Sequence, residues 1–256
     1  MKTTCIRRRT FAFLLSLIVT TIMAASSKQV ALVTGGNRGI GLEVCRQLLA
    51  LQDDDYHVIL TSRDQAKGKR AAASLSSNRV TVLVMDVANS DSIAQAAAHV
   101  KAQFGVLDVL VNNAGINYDT WHTASTADLD QVQETMDTNL MGPWRCSLGF
   151  LELLQKSTSP RIVNVSSGAG SLQDMSTGGT PGYSVSKAAL NALTIKLAKD
   201  LPKFRINAVC PGWTATDMGG GGRPIPEGAA GVVWAATLDA AGPTGGCFRD
   251  GKPIPF

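Results

Sequence analysis

The chain has 256 residues, of which 45% are apolar and 17% charged, and this is the range of one large globular domain or two small ones with enough apolar residues to bury a core. The formal net charge is +4, but four basic residues and no acid fall within residues 1–22, so the remainder carries 20 basic and 20 acidic residues. This neutral body has no basic patch interleaved with aromatic residues, which excludes nucleic-acid binding as a primary role.

Residues 1–25 are predicted to be an N-terminal leader, and residues 26–256 the folded domain. Three arginines precede an apolar run from Phe11 to Ala25, which is shorter than the roughly 20 residues that a membrane-spanning helix needs. The pattern resembles a signal peptide, loosely of the twin-arginine kind, and a retained leader would make the protein exported or membrane-anchored. The alternative is that Met23 is the true start, which would make the protein cytoplasmic.

The cysteines and histidines point neither to disulfides nor to a metal. The five cysteines are widely spaced and contain no CxxC sequence, so they are expected to be buried small apolar residues in a reducing compartment. The three histidines lack ligand spacing such as HxxxH, so we predict no metal site.

Beyond the leader, short β-branched runs alternate with helical stretches along the whole chain. The predicted strands are Val30–Val33, Val58–Leu60, Val80–Val84, Val106–Val111, Arg161–Val165 and Arg205–Val209. The predicted helices are Gly39–Leu51, Gln65–Ser76, Asp91–Phe104, Ala127–Leu154 and Gly182–Asp200. Several strands are continuously apolar, as is typical of strands buried on both faces of a parallel sheet. We therefore predict a single α/β domain, a doubly wound parallel sheet (Rossmann fold) of about seven strands with helices on both faces.

A glycine-rich loop follows the first strand and opens the first helix. In this loop, Gly35, Gly39 and Gly41 let the backbone turn tightly and approach a pyrophosphate, whose charge the helix N-terminus then meets. The spacing is GxxxGxG rather than the commoner GxGxxG. Its position between strand and helix predicts a dinucleotide site.

The end of the second strand indicates which dinucleotide binds. An NAD site usually has an acidic residue there for the ribose 2′-hydroxyl, whereas a 2′-phosphate favours a guanidinium. The residues here are Thr61, Ser62 and Arg63, and Arg38 in the glycine loop supplies a second cation. Two cations favour NADPH over NADH. The alternative for Arg63 is a solvated charge partnered by Asp64.

Tyr183 and Lys187 lie four residues apart at the start of a long predicted helix, so they share one helix face. A phenol titrates near pH 10, and a nearby ammonium is expected to lower that pKa toward neutrality and so make tyrosine a usable acid. YxxxK alone is a weak signal, because an exposed tyrosine and lysine are its ordinary explanation.

With these residues in order, the chain from Val30 to Phe256 resembles the short-chain dehydrogenase/reductase family, and most closely its NADPH-dependent carbonyl reductase branch. The motifs that carry the resemblance are Thr34–Gly41, Asp86, Asn112-Asn113-Ala114-Gly115, Asn139, Ser166-Ser167, Tyr183, Lys187 and Pro211-Gly212-Trp213-Thr214. The segments 60–64 and 210–218 are similar to the carbonyl reductase branch in particular.

The resemblance implies hydride transfer from NADPH to a carbonyl. Tyr183 would be the general acid, and Ser167 would hold the carbonyl oxygen. Lys187 would lower the pKa of Tyr183 and bind the nicotinamide ribose, and Asn139 would anchor a water that links Lys187 to solvent. The implied cofactor contacts are Gly35, Asn37, Arg38, Gly39, Ile40, Gly41, Arg63, Asp86, Val87, Asn113, Ala114, Gly115, Tyr183, Lys187, Pro211, Gly212, Trp213 and Thr214. Asn113 could instead only stabilise a turn, and Trp213 could belong to the core.

Two departures from the carbonyl reductase pattern bear on partners and specificity. Only a small loop separates Ser167 from Tyr183, so a homodimer or homotetramer through the helices that carry Asn139 and Tyr183 is expected. Four glycines follow Met218 and predict a flexible or closely approaching loop beside an open pocket. Its expected walls, Ile116, Tyr118, Trp121, Leu172, Met175, Trp213 and Met218, favour an apolar aldehyde, ketone or quinone as the small-molecule substrate.

The alternative function is an NAD(P)-binding regulatory or sensor protein with little turnover. Such a protein would more often have lost one of Asn139, Ser167, Tyr183 and Lys187. All four are present, which favours the enzyme.

Overall fold

The computed structural model describes residues 28–51, 56–173, 175 and 179–256. The strands are β1 (Gln29–Val33), β2 (Tyr56–Ser62), β3 (Val80–Val84), β4 (Val109–Asn112), β5 (Arg161–Val165), β6 (Arg205–Val209), β7 (Cys247–Arg249) and β8 (Lys252–Pro253). The α-helices are α1 (Gly39–Ala50), α2 (Gln65–Ser74), α3 (Ser90–Gln103), α4 (Leu129–Met136), α5 (Gly142–Gly149), α6 (Leu151–Leu154), α7 (Pro181–Asp200) and α8 (Ile225–Ala236).

The strands form one sheet in the order β3-β2-β1-β4-β5-β6-β7-β8. All neighbouring pairs are parallel except β7 and β8, which are antiparallel. β2 and β4 lie on opposite sides of β1, so the direction of the strand order reverses between β1 and β4. Such a switch point opens a crevice at the carboxyl ends of the strands, where open α/β sheets bind ligands.

Each face of the sheet carries its own apolar core, as the doubly wound prediction requires. One core joins alternate residues of the central strands to α3, α5 and α7, with Phe150 and Leu190 fully buried. The other joins the remaining residues of the same strands to α1 and α8, with Leu48 and Val232 fully buried. Burial on both faces explains why these strands are continuously apolar. The predicted single-domain α/β fold is confirmed, with an eighth, two-residue strand at the edge.

The predicted helix from Ala127 to Leu154 is interrupted in the structure. After α4 the chain makes a π-helical turn over Asp137–Met141 before α5 begins. The physical reason is Pro143, which has no N–H to donate to the carbonyl of Asn139 four residues earlier. Asn139 therefore lies in the irregular turn.

Some elements differ from the predicted ones or were not predicted. β4 begins at Val109 rather than Val106, because Gly105 turns with a φ of 73° and the N–H of Leu107 donates to the carbonyl of Leu153 outside the sheet. Helix α8 and strands β7 and β8 were not predicted. Helix α8 is rich in alanine and glycine, and β7 and β8 span only three and two residues, which is too short for a periodic pattern.

The predicted leader, residues 1–25, lies outside the described residues. No helix in the described part of the chain combines the length and apolar character needed to cross a membrane. Four of the five cysteines are described, and Cys45, Cys146, Cys210 and Cys247 are all buried free thiols, as predicted.

Candidate active site

The glycine loop between β1 and α1 is held close to the segment that follows β4. The Asn113 side-chain amide donates to the carbonyls of Thr34 at 2.9 Å and Gly35 at 3.3 Å. A Cβ atom at Gly41 would lie 2.4 Å from this amide nitrogen, and Gly35 has a φ of 63°. Glycine is therefore required at both positions, by close approach at Gly41 and by the left-handed backbone at Gly35. Asn113 does stabilise a turn, and that turn is the glycine loop.

The loop forms one wall of a cleft of about 840 Å³ at the carboxyl ends of the strands. This volume is within the range of ligand sites. The predicted site residues that line the cleft are Gly35, Asn37, Arg38, Gly39, Ile40, Gly41, Arg63, Asp86, Val87, Asn113, Ala114, Gly115, Tyr183, Lys187 and Pro211. One cleft thus gathers residues from six separate segments of the chain, and its backbone cradle and cationic end fit an extended dinucleotide.

One end of the cleft, the cationic end, has more basic than acidic side chains. Its lining residues include Arg38, Arg63, Lys67 and Arg70 together with the acids Asp64 and Asp217. Arg63 makes no ion pair with any residue in the described ranges, because its neighbour Asp64 caps α2 by accepting from the N–H of Lys67. Of the alternative explanation of Arg63, a solvated charge partnered by Asp64, the exposed position is observed and the pairing is not. Four cations at this end suit a phosphate group.

Arg38 has a partner across the cleft. Its guanidinium donates to the Asp217 carboxylate at 2.9 Å, and both side chains are largely exposed. The pair joins the glycine loop to the segment after β6. An exposed pair of this kind contributes only about 0–1 kcal/mol, so it leaves Arg38 available to a phosphate.

At the other end of the cleft, α7 carries Tyr183 and Lys187 to the end of β5. The Lys187 ammonium donates to the carbonyl of Val165 at 2.8 Å and lies 5.6 Å from the centre of the Tyr183 ring. The Tyr183 phenol is in hydrogen-bonding contact with Ser167. The structure thus brings together the predicted acid, the carbonyl-binding serine and the lysine.

The pKa of Tyr183 differs from the prediction. Burial raises the pKa of this phenol above 10, and the hydrogen bond from Ser167 only partly offsets the effect. Lys187 does not offset this rise, and burial also lowers the pKa of its own ammonium, to about 8. Tyr183 is therefore a protonated phenol at neutral pH, which is the form a proton donor needs.

Asn139 is fully buried behind these residues. Its amide nitrogen donates to the carbonyl of Ile116 at 2.9 Å and to Ser186 Oγ at 3.1 Å, and its oxygen accepts from the N–H of Ile116. The side chain therefore joins the π-helical turn, the segment after β4 and α7. The water link through Asn139 stays a prediction.

Three predicted cofactor residues after β6 do not line the cleft. Gly212 turns with a φ of 74°, Thr214 is buried with its hydroxyl donating to the carbonyls of Pro211 and Gly212, and Trp213 is 72% exposed. The tryptophan donates its indole N–H to the carbonyl of Gly219. Trp213 is thus neither cleft wall nor core in this structure.

The four-glycine segment approaches this turn closely. A Cβ atom at Gly219 or Gly222 would lie 2.2 Å from the carbonyl oxygen of Thr214 or Trp213. The sequence predicted either a flexible or a closely approaching loop for these glycines, and the structure shows close approach. The expected substrate walls Tyr118, Trp121, Leu172, Met175, Trp213 and Met218 are all exposed, and only Ile116 is buried. Of these seven residues, Ile116 and Met218 line the cleft.

Sequence reasoning missed several residues of the cleft. Lys67 and Arg70 stand three residues apart on α2 and line the cationic end, and the signal that could have found them is their helical spacing after Arg63. The wall formed by Ala215, Thr216 and Asp217 had no comparable signal, because only the folded loop brings these residues to the cleft.

Comparison with known proteins shows which family the chain belongs to. Residues 29–224 match the family model described as short chain dehydrogenase. The (+)-neomenthol dehydrogenase of Arabidopsis thaliana is 35% identical over 91% of this chain and 99% of that protein, and the salutaridine reductase of Papaver bracteatum is 34% identical over 84% and 92%. The crystal structure of NADPH-bound carbonyl reductase from chicken fatty liver superposes with a TM-score of 0.81 at 31% identity, covering 90% of this chain and 99% of that one.

The alignment with the neomenthol dehydrogenase runs over 296 positions, more than the 256 residues of this chain, so that relative has residues with no counterpart here. The match to the family model nevertheless spans the glycine loop, the segment after β4, Tyr183 and Lys187. The predicted resemblance is confirmed, and the chain belongs to the short-chain dehydrogenase/reductase family.

Proposed function

We propose that the protein is an oxidoreductase that transfers a hydride from NADPH to the carbonyl carbon of an apolar aldehyde, ketone or quinone. The observation that carries the proposal is that Tyr183, hydrogen-bonded to Ser167, lines with Lys187 the same cleft that Arg38 and Arg63 line. Membership of a family with reductases among its members, and the likeness to a carbonyl reductase with NADPH bound, support it.

Each catalytic residue has a defined task in this reaction. Bound NADPH would supply the hydride at its nicotinamide. Ser167 donates a hydrogen bond to the substrate oxygen, and Tyr183 donates its phenolic proton to the same oxygen as negative charge develops there. Lys187 would bind the nicotinamide ribose through its ammonium, which lies 5.6 Å from the centre of the Tyr183 ring. Asn139 supports proton resupply, since Pro143 leaves the Asn139 carbonyl without its α-helical donor.

We expect broad substrate acceptance. Ile116 and Met218 line the cleft, and an isoleucine and a thioether contact apolar rings and chains without demanding one shape. The test is a panel of apolar aldehydes, ketones and quinones with purified protein and NADPH, followed by the absorbance of the nicotinamide. We expect turnover with several members. Tight NADPH binding with no turnover on any member would instead favour the regulatory or sensor protein.

The same assay tests the cationic end. Arg63→Ala is expected to raise the KM for NADPH by roughly tenfold or more, because a charge-assisted hydrogen bond to the 2′-phosphate contributes about 1.5–3 kcal/mol. The KM for NADH, which lacks that phosphate, should be unchanged. Arg46→Ala, which removes an exposed arginine of α1 that pairs with Glu43, is the matched control. Equal losses with both cofactors would contradict the assignment.

The helices that carry Asn139 and Tyr183 also expose apolar side chains. Trp144 and Leu148 stand one turn apart on α5, and Val185 is 52% exposed on α7. A homodimer or homotetramer through these helices would cover them. Light scattering should then give at least twice the monomer mass of 26.9 kDa, and a monomeric mass at micromolar concentration would contradict it.

A further inference from the structure

The helix that carries Tyr183 begins without a cap of its own. The residue before it, Thr180, has a left-handed backbone with a φ of 48° and makes no side-chain capping bond. The first helical residue is Pro181, which has no N–H. The first N–H of α7 is therefore that of Gly182, directly before Tyr183.

A carboxylate from a distant part of the chain accepts this N–H. Asp119 Oδ2 accepts from Gly182 at 2.5 Å, across 63 residues of sequence. Asp119 is only 1% exposed, and its other oxygen has no hydrogen-bond partner among the described residues. Burying a carboxylate is costly, but the N-terminus of α7 offsets part of the cost because the helix dipole favours negative charge there.

The segment that carries Asp119 also holds Asn139. Three residues earlier, Ile116 exchanges two hydrogen bonds with the Asn139 amide. The segment after β4 thus contacts the catalytic asparagine with one residue and the start of the catalytic helix with another. Because it follows β4 and contacts both, a shift of this segment would displace both.

The first turn of α7 has little freedom around this contact. A Cβ atom at Gly182 would lie 3.1 Å from Val132 Cγ2 of α4 and 3.2 Å from Asp119 Oδ2. The backbone here is packed between a side chain of α4 and the capping carboxylate. A change in where the carboxylate oxygen lies therefore moves the residue next to Tyr183.

We propose that Asp119 is a positioning residue for the general acid: its carboxylate holds the first turn of α7 where the Tyr183 phenol contacts Ser167. The proposal rests on the proposed role of Tyr183 in proton donation. It goes beyond ordinary helix capping, which would contribute to stability and leave the chemical step unchanged.

The test compares three substitutions by kcat, KM for NADPH and thermal unfolding. Asp119→Ala removes the acceptor, and Asp119→Glu moves it by one methylene. Both are expected to lower kcat by roughly 10- to 100-fold, since small misplacements of catalytic groups have effects of this size, with the KM for NADPH nearly unchanged. Asp119→Asn keeps an oxygen in place as acceptor, and kcat should stay within about fivefold of wild type because a neutral acceptor is roughly half as strong.

The matched control is Asp108→Ala. The Asp108 carboxylate also accepts a backbone N–H from a distant segment, that of Val30 at 2.8 Å, but at the amino ends of the strands and so away from the cleft; its loss should lower thermal stability and leave kcat unchanged. If Asp119→Ala and Asp119→Glu behave like Asp108→Ala, the proposal is wrong. Where Asp119→Ala does not fold, the Glu and Asn variants decide between the two outcomes. Retained kcat in Tyr183→Phe would instead show that the proposed acid fails, whatever the Asp119 variants do.

Discussion

Replacing Tyr183 with phenylalanine is expected to lower kcat for carbonyl reduction by about 10²–10⁴-fold, the contribution typical of a positioned proton donor. The substitution removes one oxygen and leaves the ring that packs in the site. Burial keeps the pKa of this phenol above its ordinary value, so the wild-type group is a protonated donor at neutral pH. NADPH affinity should change little, because the glycine loop and the cationic end of the cleft are untouched.

Tyr56→Phe is the matched control for this experiment. Tyr56 is a fully buried phenol at the opposite edge of the sheet, with its oxygen 3.5 Å from a guanidinium nitrogen of Arg161. Its replacement should change thermal stability but not kcat. Measured by single-turnover reduction and by NADPH fluorescence titration, a Tyr183→Phe variant that binds NADPH and retains more than a tenth of wild-type kcat would remove Tyr183 from the chemical step.

Replacing Lys187 with methionine is expected to slow the reaction and to change how the free energy of unfolding depends on pH. The reaction should slow by roughly 10²–10³-fold, since a preorganised charge beside the reacting group is lost. Burial lowers the pKa of Lys187 from 10.5 to about 8. Between these values the unfolded chain binds a proton that the folded chain lacks, so the free energy of unfolding rises with pH across this window.

The direction of this pH dependence of the free energy of unfolding can be measured. From pH 8 to 10.5 the wild type should gain roughly 3 kcal/mol relative to Lys187→Met, since one pKa unit corresponds to about 1.4 kcal/mol. Urea denaturation of both proteins at several pH values checks this, and the difference between them cancels the opposing titration of the buried cysteines, whose pKa values are raised. A difference independent of pH would contradict a lysine buried in this way.

Some features of the site were predictable from the sequence because local rules determine them. Gly35 is required by its left-handed backbone, and Gly41 by the close approach of the Asn113 side chain. Both requirements place a glycine at a fixed position in the sequence motif. Tyr183 and Lys187 share a helix face because four residues make about one turn. Continuously apolar strands indicate burial on both faces of the sheet. The alternation of these strands with helices was sufficient to predict the doubly wound fold.

Other features depend on contacts between segments far apart in the chain. The pKa of Tyr183 is an example: the sequence places a lysine one turn away, but only burial decides that the phenol pKa rises while that of Lys187 falls. The partner of Arg38 is another, because Asp217 reaches it from 179 residues away. Neither burial nor such a pairing leaves a signature in local spacing.

The sequence by itself determined the family, the doubly wound sheet, the glycine loop and the candidate catalytic residues, since each is encoded in short-range pattern and residue type. The tertiary structure alone decided the cationic end formed with Lys67 and Arg70, the turn that excludes Trp213 from the cleft, and the capping of the catalytic helix by Asp119. These last features arise from desolvation and from distances across the fold. They exist only after the strands have brought their carboxyl ends to one edge of the sheet.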